Sequence, residues 1–120
     1  MNSNELYRGI IYKYTSPSGE VYIGQSMNER KRRSDFLCIT TQYSGPKIEN
    51  ARKKYGPENF QYEVLFTIES LDQKEVQDIL NSKEKEYIIL FDSINHGYNI
   101  DEGGAVKDIY SNRVESEETR

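Results

Sequence analysis

Arg8-Gly9-Ile10-Ile11-Tyr12-Lys13-Tyr14-Thr15, then Ser16-Pro17-Ser18-Gly19, then Glu20-Val21-Tyr22-Ile23-Gly24-Gln25 forms the most informative passage of this 120-residue chain. β-Branched and aromatic residues fill the two outer runs, and the four residues between them are turn formers. The passage predicts a β-hairpin with strands at 8–15 and 20–25. Tyr12 and Tyr22 lie on opposite strands and are expected to approach each other across the ladder, in the simplest case as an ordinary aromatic pair. Gly24, inside a strand pattern, signals a bulge or a close backbone approach.

Downstream, Ser26 or Asn28 can cap a helix that runs through Arg30-Lys31-Arg32-Arg33 to about Cys38. Ser44-Gly45-Pro46 breaks the chain, and a second helix is predicted from Pro46 to Tyr55, ended by Gly56-Pro57. Residues 60–68 alternate and then run apolar, which predicts a third strand, placed centrally. Leu71-Asp72 opens the longest helix, which reaches about Phe91. Its apolar residues Val76, Leu80, Tyr87, Ile88 and Phe91 share one side at 3.6-residue periodicity. Residues 92–104 read as a loop, and 105–120 as a loose polar tail. The order β-β-α-α-β-α predicts an α+β domain over 1–104, a small three-stranded antiparallel sheet flanked by helices.

Outside the hairpin, two residues fit their surroundings poorly, Glu84 and Arg32. Glu84 is flanked on its helix by Leu80 and Ile88, each about 40° away around the axis, so it lies at the edge of the apolar stripe. A carboxylate there is paired, protonated or bound to a cation, unless its stem covers the core and its head reaches water. Arg32 has Phe36 as its i+4 neighbour, an arginine beside an aromatic on the side expected to face the sheet. Asn99 follows Tyr98 in a Gly-rich loop, where asparagine is commonplace. Cys38 reads as a core residue.

Composition closes off several classes. With one cysteine and one histidine, neither an internal disulfide nor a Cys/His structural zinc site is possible. No apolar run approaches the roughly 20 residues of a membrane span, and the first residues lack a signal-peptide pattern, so no membrane contact is expected and a reducing cytoplasm is the expected setting. Phosphate-loop, dinucleotide-binding and nucleophile-elbow motifs are missing. The net charge of −4 conceals an asymmetry. Residues 1–56 hold ten Lys/Arg against five Asp/Glu, and residues 57–120 hold six against fifteen. The basic clusters at 30–33 and 47–54 are either solvated helix faces or a local polyanion-binding surface.

Taken in order, several segments resemble the GIY-YIG nuclease family. Gly9-Ile10-Ile11-Tyr12 and Val21-Tyr22-Ile23-Gly24-Gln25-Ser26 are similar to its two naming motifs. Asn28 to Arg32 resembles its first helix, with the arginine ten residues beyond the second-motif tyrosine. Lys53-Lys54-Tyr55-Gly56-Pro57-Glu58-Asn59-Phe60 resembles its "KYG…NF" joint, Glu84 with Tyr87-Ile88 its glutamate helix, and Gly97-Tyr98-Asn99 its terminal "GYN". The match spans 9–104, and the phage and bacterial homing endonucleases are the nearest branch. Ser116-Glu117-Glu118-Thr119-Arg120 is similar to the start of a basic repeat that follows the nuclease domain in such enzymes, which implies a further DNA-binding region. Two positions depart from the pattern. Ile10 stands where the first motif usually has glycine, and Phe36 stands four residues after Arg32, where His or Tyr is usual.

The resemblance implies hydrolysis of DNA phosphodiester bonds, most often in duplex DNA, with one divalent metal, Mg²⁺ or Mn²⁺. It implies Tyr12 as general base toward water, Tyr22 as a holder of phosphate or water, Arg32 as the neutraliser of developing charge, Glu84 as metal ligand and Asn99 as an orienting hydrogen-bonder. Phosphate-backbone contacts are expected from Arg30, Lys31 and Arg33 and, on the second helix, from Lys47, Arg52, Lys53 and Lys54. Phe36 can neither take nor give a proton. Either a group such as Lys13, Tyr43 or His96 substitutes for the usual residue, or activity is reduced or lost. The alternatives are accordingly a nucleic-acid-binding module with disabled chemistry and a protein-interaction domain using the acidic face of 58–92.

Overall fold

The computed structural model describes residues 6–38 and 45–100. Its elements are β1 (Tyr7–Thr15), β2 (Val21–Ser26), α1 (Glu29–Leu37), α2 (Pro46–Tyr55), β3 (Gln61–Ser70) and α3 (Gln73–Phe91), with a single 3-10 turn at Pro57–Asn59 before β3. Local chemistry sets the helix boundaries. The Asn28 carboxamide accepts from the Lys31 amide and starts α1, and Asp72 does the same for Lys74 at the start of α3. Pro46 occupies the first turn of α2, and Gly56, at positive φ, ends it. Tyr43, residues 101–104 of the terminal loop and the 105–120 tail lie outside the described residues.

The sheet is antiparallel in the order β2-β1-β3. This corrects the placement of the third strand. β1 is central, because it pairs with β2 through the hairpin and with β3 on its other side, and β3 is an edge strand. The apolar run of β3 is only half-buried, consistent with its position. β1 contributes a four-residue buried stretch, Gly9–Tyr12, as a strand covered on both faces must.

The two faces carry separate cores. On one, Ile10, Tyr12, Tyr14 and Tyr22 pack with Phe36 of α1, Ile48 and Ala51 of α2, Phe60 and Tyr98. On the other, Ile11 and Ile23 pack with Val76, Leu80 and Ile88 of α3. The result is three layers, with the sheet between α1/α2 and α3.

Arg52 is corrected from a DNA contact to a structural fastener. Its side chain is fully buried. Nε donates to the Phe36 carbonyl at 3.0 Å, and Nη2 to the carbonyls of Asp35 at 3.0 Å and Cys38 at 2.7 Å. Nη1 meets both carboxylate oxygens of Glu49 at 3.0 and 3.1 Å. These are the orphan carbonyls that any helix leaves at its C-terminus, here the end of α1. The fork geometry of a guanidinium lets one side chain satisfy several of them at once. Arg52→Met, of similar reach but without donors, is expected to destabilise the domain by about 3–5 kcal/mol, because it removes the buried guanidinium that donates to the carbonyls at the end of α1 and to the Glu49 carboxylate. The denaturant midpoint measures this, and a midpoint close to wild type would return Arg52 to the surface. Cys38, expected in the core, is exposed and offers its carbonyl to this fastener.

Candidate active site

The hairpin register places Tyr12 opposite Gly24, and Tyr14 opposite Tyr22. Tyr12 and Tyr22 are therefore diagonal neighbours, with ring centroids 6.5 Å apart. A bulge in the β1–β3 pairing falls between Ile11 and Tyr12, where it re-aims the strand beside this side chain. The Tyr12 ring lies across Gly24 so closely that a Cβ there would overlap its terminal carbon and hydroxyl. This is the close approach signalled by a glycine within the strand. Arg32 of α1 reaches the same point, and its Nε donates to the Tyr12 hydroxyl at 3.2 Å.

Glu84 belongs to α3, on the other side of the sheet. It is 9% exposed and continues the buried row Val76, Leu80, Ile88, so it lies within the apolar stripe and not at its edge. The Gln25 side chain donates to Glu84 Oε1 at 2.8 Å. Gln25 follows Gly24 directly on β2. Asn99 attaches to the residue before it. Its Oδ1 accepts from the Ile23 amide at 2.9 Å and from Ser93 Oγ at 2.7 Å, and its Nδ2 donates to the Ile23 carbonyl at 2.9 Å. The carboxamide thus imitates one step of a β-ladder on the outer edge of β2. The Tyr98 amide extends this by donating to the Val21 carbonyl at 2.8 Å, and Gly97 has no room for a Cβ beneath that carbonyl. Through these bonds to Ser93 and Ile23, Asn99 holds the outer edge of β2.

Three consecutive β2 residues therefore carry the constellation: Ile23 holds Asn99, Gly24 lies under Tyr12, and Gln25 holds Glu84. Gln25, with Gln77 and Asn81 beside it, did not stand out in the sequence, because polar residues at intermediate burial look like surface.

Two of the tyrosines near Tyr12, Tyr14 and Tyr62, are poor bases. Burial pushes the Tyr14 phenol up to about 12, against the pull of Arg33, Arg32 and Arg52. Burial also pushes Tyr62 up, reinforced by its 2.7 Å hydrogen bond to the Glu29 anion. That same bond, with Arg8, holds the Glu29 carboxyl below the usual range. Phe36 is fully buried, stacked on Tyr14 at 3.6 Å and edge-on to Phe60. An apolar ring suits such surroundings. Lys13 does not replace a proton carrier there. It pairs with Glu63 at 3.3 Å and lies over Phe91 of the α3 layer. His96 is exposed on the turn after α3, against Asp92.

The basic residues divide by position. Arg30 and Arg33 line an open groove of about 540 Å³ along α1, with Glu29, Ser34 and Leu37. Arg33 also covers the Tyr62 ring at 4.1 Å, and Lys31 pairs with Asp35. Lys53 and Lys54 are exposed on the last turn of α2. Lys47 ties down the terminal loop through the carbonyls of Ile94 and Asn99. Among the described residues, no cluster of three or more His, Cys, Asp or Glu forms a metal-binding group. No helix among them is long and apolar enough to cross a membrane.

No protein-family model and no curated protein matches the chain. Among solved structures, it is similar to a mutant of the catalytic domain of the intron endonuclease I-TevI. The TM-score is 0.57 at 19% identity, over 80% of this chain and 96% of that one. The likeness is one of fold, and it covers almost the whole of that catalytic domain. The three-stranded antiparallel sheet, the order β-β-α-α-β-α and this likeness together give the chain a GIY-YIG-like fold.

Proposed function

We propose that the chain is a metal-dependent endonuclease that hydrolyses DNA phosphodiester bonds. The observation that carries this reading is the convergence on Ile23-Gly24-Gln25: a tyrosine hydroxyl touched by an arginine on one face, and a buried carboxylate held on the other. A buried glutamate costs stability, and a fold retains one where its charge is used.

On this reading each side chain has a task. Tyr12 acts as the phenolate, its own proton first lost to solvent; it takes the proton of the attacking water and returns to the neutral phenol, and the Arg32 cation donating to its oxygen stabilises the phenolate before that transfer. Arg32 also neutralises charge gathering on the phosphate oxygens in the transition state. Tyr22 borders the same space and orients phosphate or water. Asn99 keeps the β2 edge in place through Ile23. Glu84 supplies the carboxylate for a divalent cation. Glu84 offers a hard oxygen donor that suits Mg²⁺ or Mn²⁺, which bind through one or two carboxylates and keep several waters. When bound, the cation would supply Lewis-acid stabilisation of the leaving 3′ oxygen, giving a 5′-phosphate and a 3′-hydroxyl.

Arg30, Lys31, Arg33, Lys53 and Lys54 would clamp the phosphate backbone of duplex DNA. Such contacts carry no sequence information, so sequence choice falls to a further DNA-binding region or partner. A cytoplasmic setting in a phage or bacterial system fits this role.

The test is relaxation of supercoiled plasmid by the purified chain with Mg²⁺ or with EDTA. Nicking that requires Mg²⁺ is expected, with 5′-phosphate ends that DNA ligase reseals. The burial of Phe36 favours a second reading, a DNA-binding module without chemistry. Salt-sensitive plasmid retention with no nicking in Mg²⁺ or Mn²⁺ would select it.

A further inference from the structure

Gln25 makes a closed set of hydrogen bonds. Its Nε2 donates to Glu84 Oε1 at 2.8 Å and to Asn81 Oδ1 at 3.0 Å. Its Oε1 accepts from Gln77 Nε2 at 2.7 Å, and the same Gln77 nitrogen donates to Asn81 Oδ1 at 2.9 Å. A primary amide can flip, exchanging donor for acceptor. Here Gln77 on one end and two oxygens on the other fix its orientation. Gln77, Asn81 and Glu84 lie on one side of α3 at spacings of four and three residues, so one helix face presents the whole set to β2. Gln25 is also the residue next to Gly24, over which Tyr12 lies.

We infer that Gln25 is a positioning residue for Glu84: its locked amide sets the rotamer of the carboxylate and aligns α3 with the Tyr12–Arg32 side of the site. This rests on reading Glu84 as the metal-holding group. Hydrogen bonds of this kind around a ligating carboxylate affect metal affinity without touching the metal. The chemistry at position 25 is specific. A glutamate would present an acceptor to Glu84 where a donor is needed, and an aliphatic residue would take this donor away from the carboxylate in a poorly solvated place.

The test uses the full 120-residue chain, with Mn²⁺ as probe and the electron paramagnetic resonance of free Mn²⁺ as readout. Wild type, Gln25→Met and Glu84→Ala are compared, with thermal melts and plasmid nicking alongside. Gln25→Met keeps the length of the side chain and removes its hydrogen bonds. It is expected to weaken Mn²⁺ binding by about 10–100-fold. Its melting temperature should fall by only several degrees, leaving it folded at the assay temperature, and its nicking rate should recover as Mn²⁺ is raised. Glu84→Ala should not recover at any Mn²⁺ concentration. Affinity in Gln25→Met equal to wild type, with Glu84→Ala still defective, overturns the positioning role and leaves the reading of Glu84 intact. Mn²⁺ binding that is absent in wild type, or unchanged in Glu84→Ala, overturns that reading and the inference with it. If Gln25→Met does not fold, Gln77→Leu provides the same test from one bond further out. A smaller loss, about threefold to tenfold, is expected there, and unchanged affinity overturns the proposal.

Discussion

Glu84→Ala is expected to reduce plasmid nicking to the level seen in EDTA while leaving the fold as stable as wild type or more so. Both halves follow from where the carboxylate sits. Glu84 lies in line with Leu80 and Ile88 in the buried row of α3. Taking a carboxylate out of water costs on the order of several kcal/mol, which hydrogen bonds such as the one from Gln25 offset only in part. A smaller or apolar side chain removes that cost, and Gln25 keeps Asn81 as an acceptor. Glu84→Leu should therefore melt at or above the wild-type temperature and be equally inactive. A residue with a merely structural role behaves in the opposite way, losing stability and keeping activity. Melting curves and nicking rates measured on the same samples separate the two, and a destabilised but active Glu84→Leu would remove Glu84 from the site.

Tyr12→Phe tests the other side of β2. The variant keeps the ring, and with it the contact over Gly24 and the packing against Tyr14, Tyr22 and Tyr62. It loses the hydroxyl and with it the hydrogen bond from Arg32. Loss of one such bond costs stability by about 1 kcal/mol. Loss of a general base costs rate by about 10²–10⁴-fold. The disparity is what makes the variant informative. The raised pKa values of Tyr14 and Tyr62 leave neither as a ready substitute at neutral pH. A nicking rate within a few-fold of wild type would assign the proton transfer to another group.

Much of this arrangement was legible in the sequence, for reasons that differ from one element to another. The hairpin showed through two β-rich runs around Ser16-Pro17-Ser18-Gly19, and α2 through Pro46 and Gly56, because turn and cap chemistry is local. The row Val76, Leu80, Ile88 announced the buried face of α3 through its period. The rank of β3 in the sheet did not show, because it depends on which strand β1 pairs with second, and composition does not encode that. Arg52 was misread as a DNA contact for a related reason. Its neighbours in sequence are exposed lysines, while its partners are carbonyls brought to it by the end of a different helix. Gln25 and Glu84, likewise, meet only once α3 has packed on the sheet. Gly24 was legible as an anomaly, but only the register shows that the group above it is Tyr12.

The dependence of β2 on distant residues has a consequence for the order in which the domain becomes competent. Gln25 waits for Glu84, 59 residues later, and Ile23 waits for Asn99, 76 residues later. At synthesis rates of about 5–20 residues per second, the hairpin emerges from a ribosome roughly 4–15 s before the residue that braces its edge. For most of that interval the chain holds the two tyrosines and Arg32 but not yet Glu84, and throughout it lacks the brace. On the proposed reading, the constellation around β2 would be complete only once Asn99 is free to dock on Ile23, so emergence of that residue would set the earliest moment of competence.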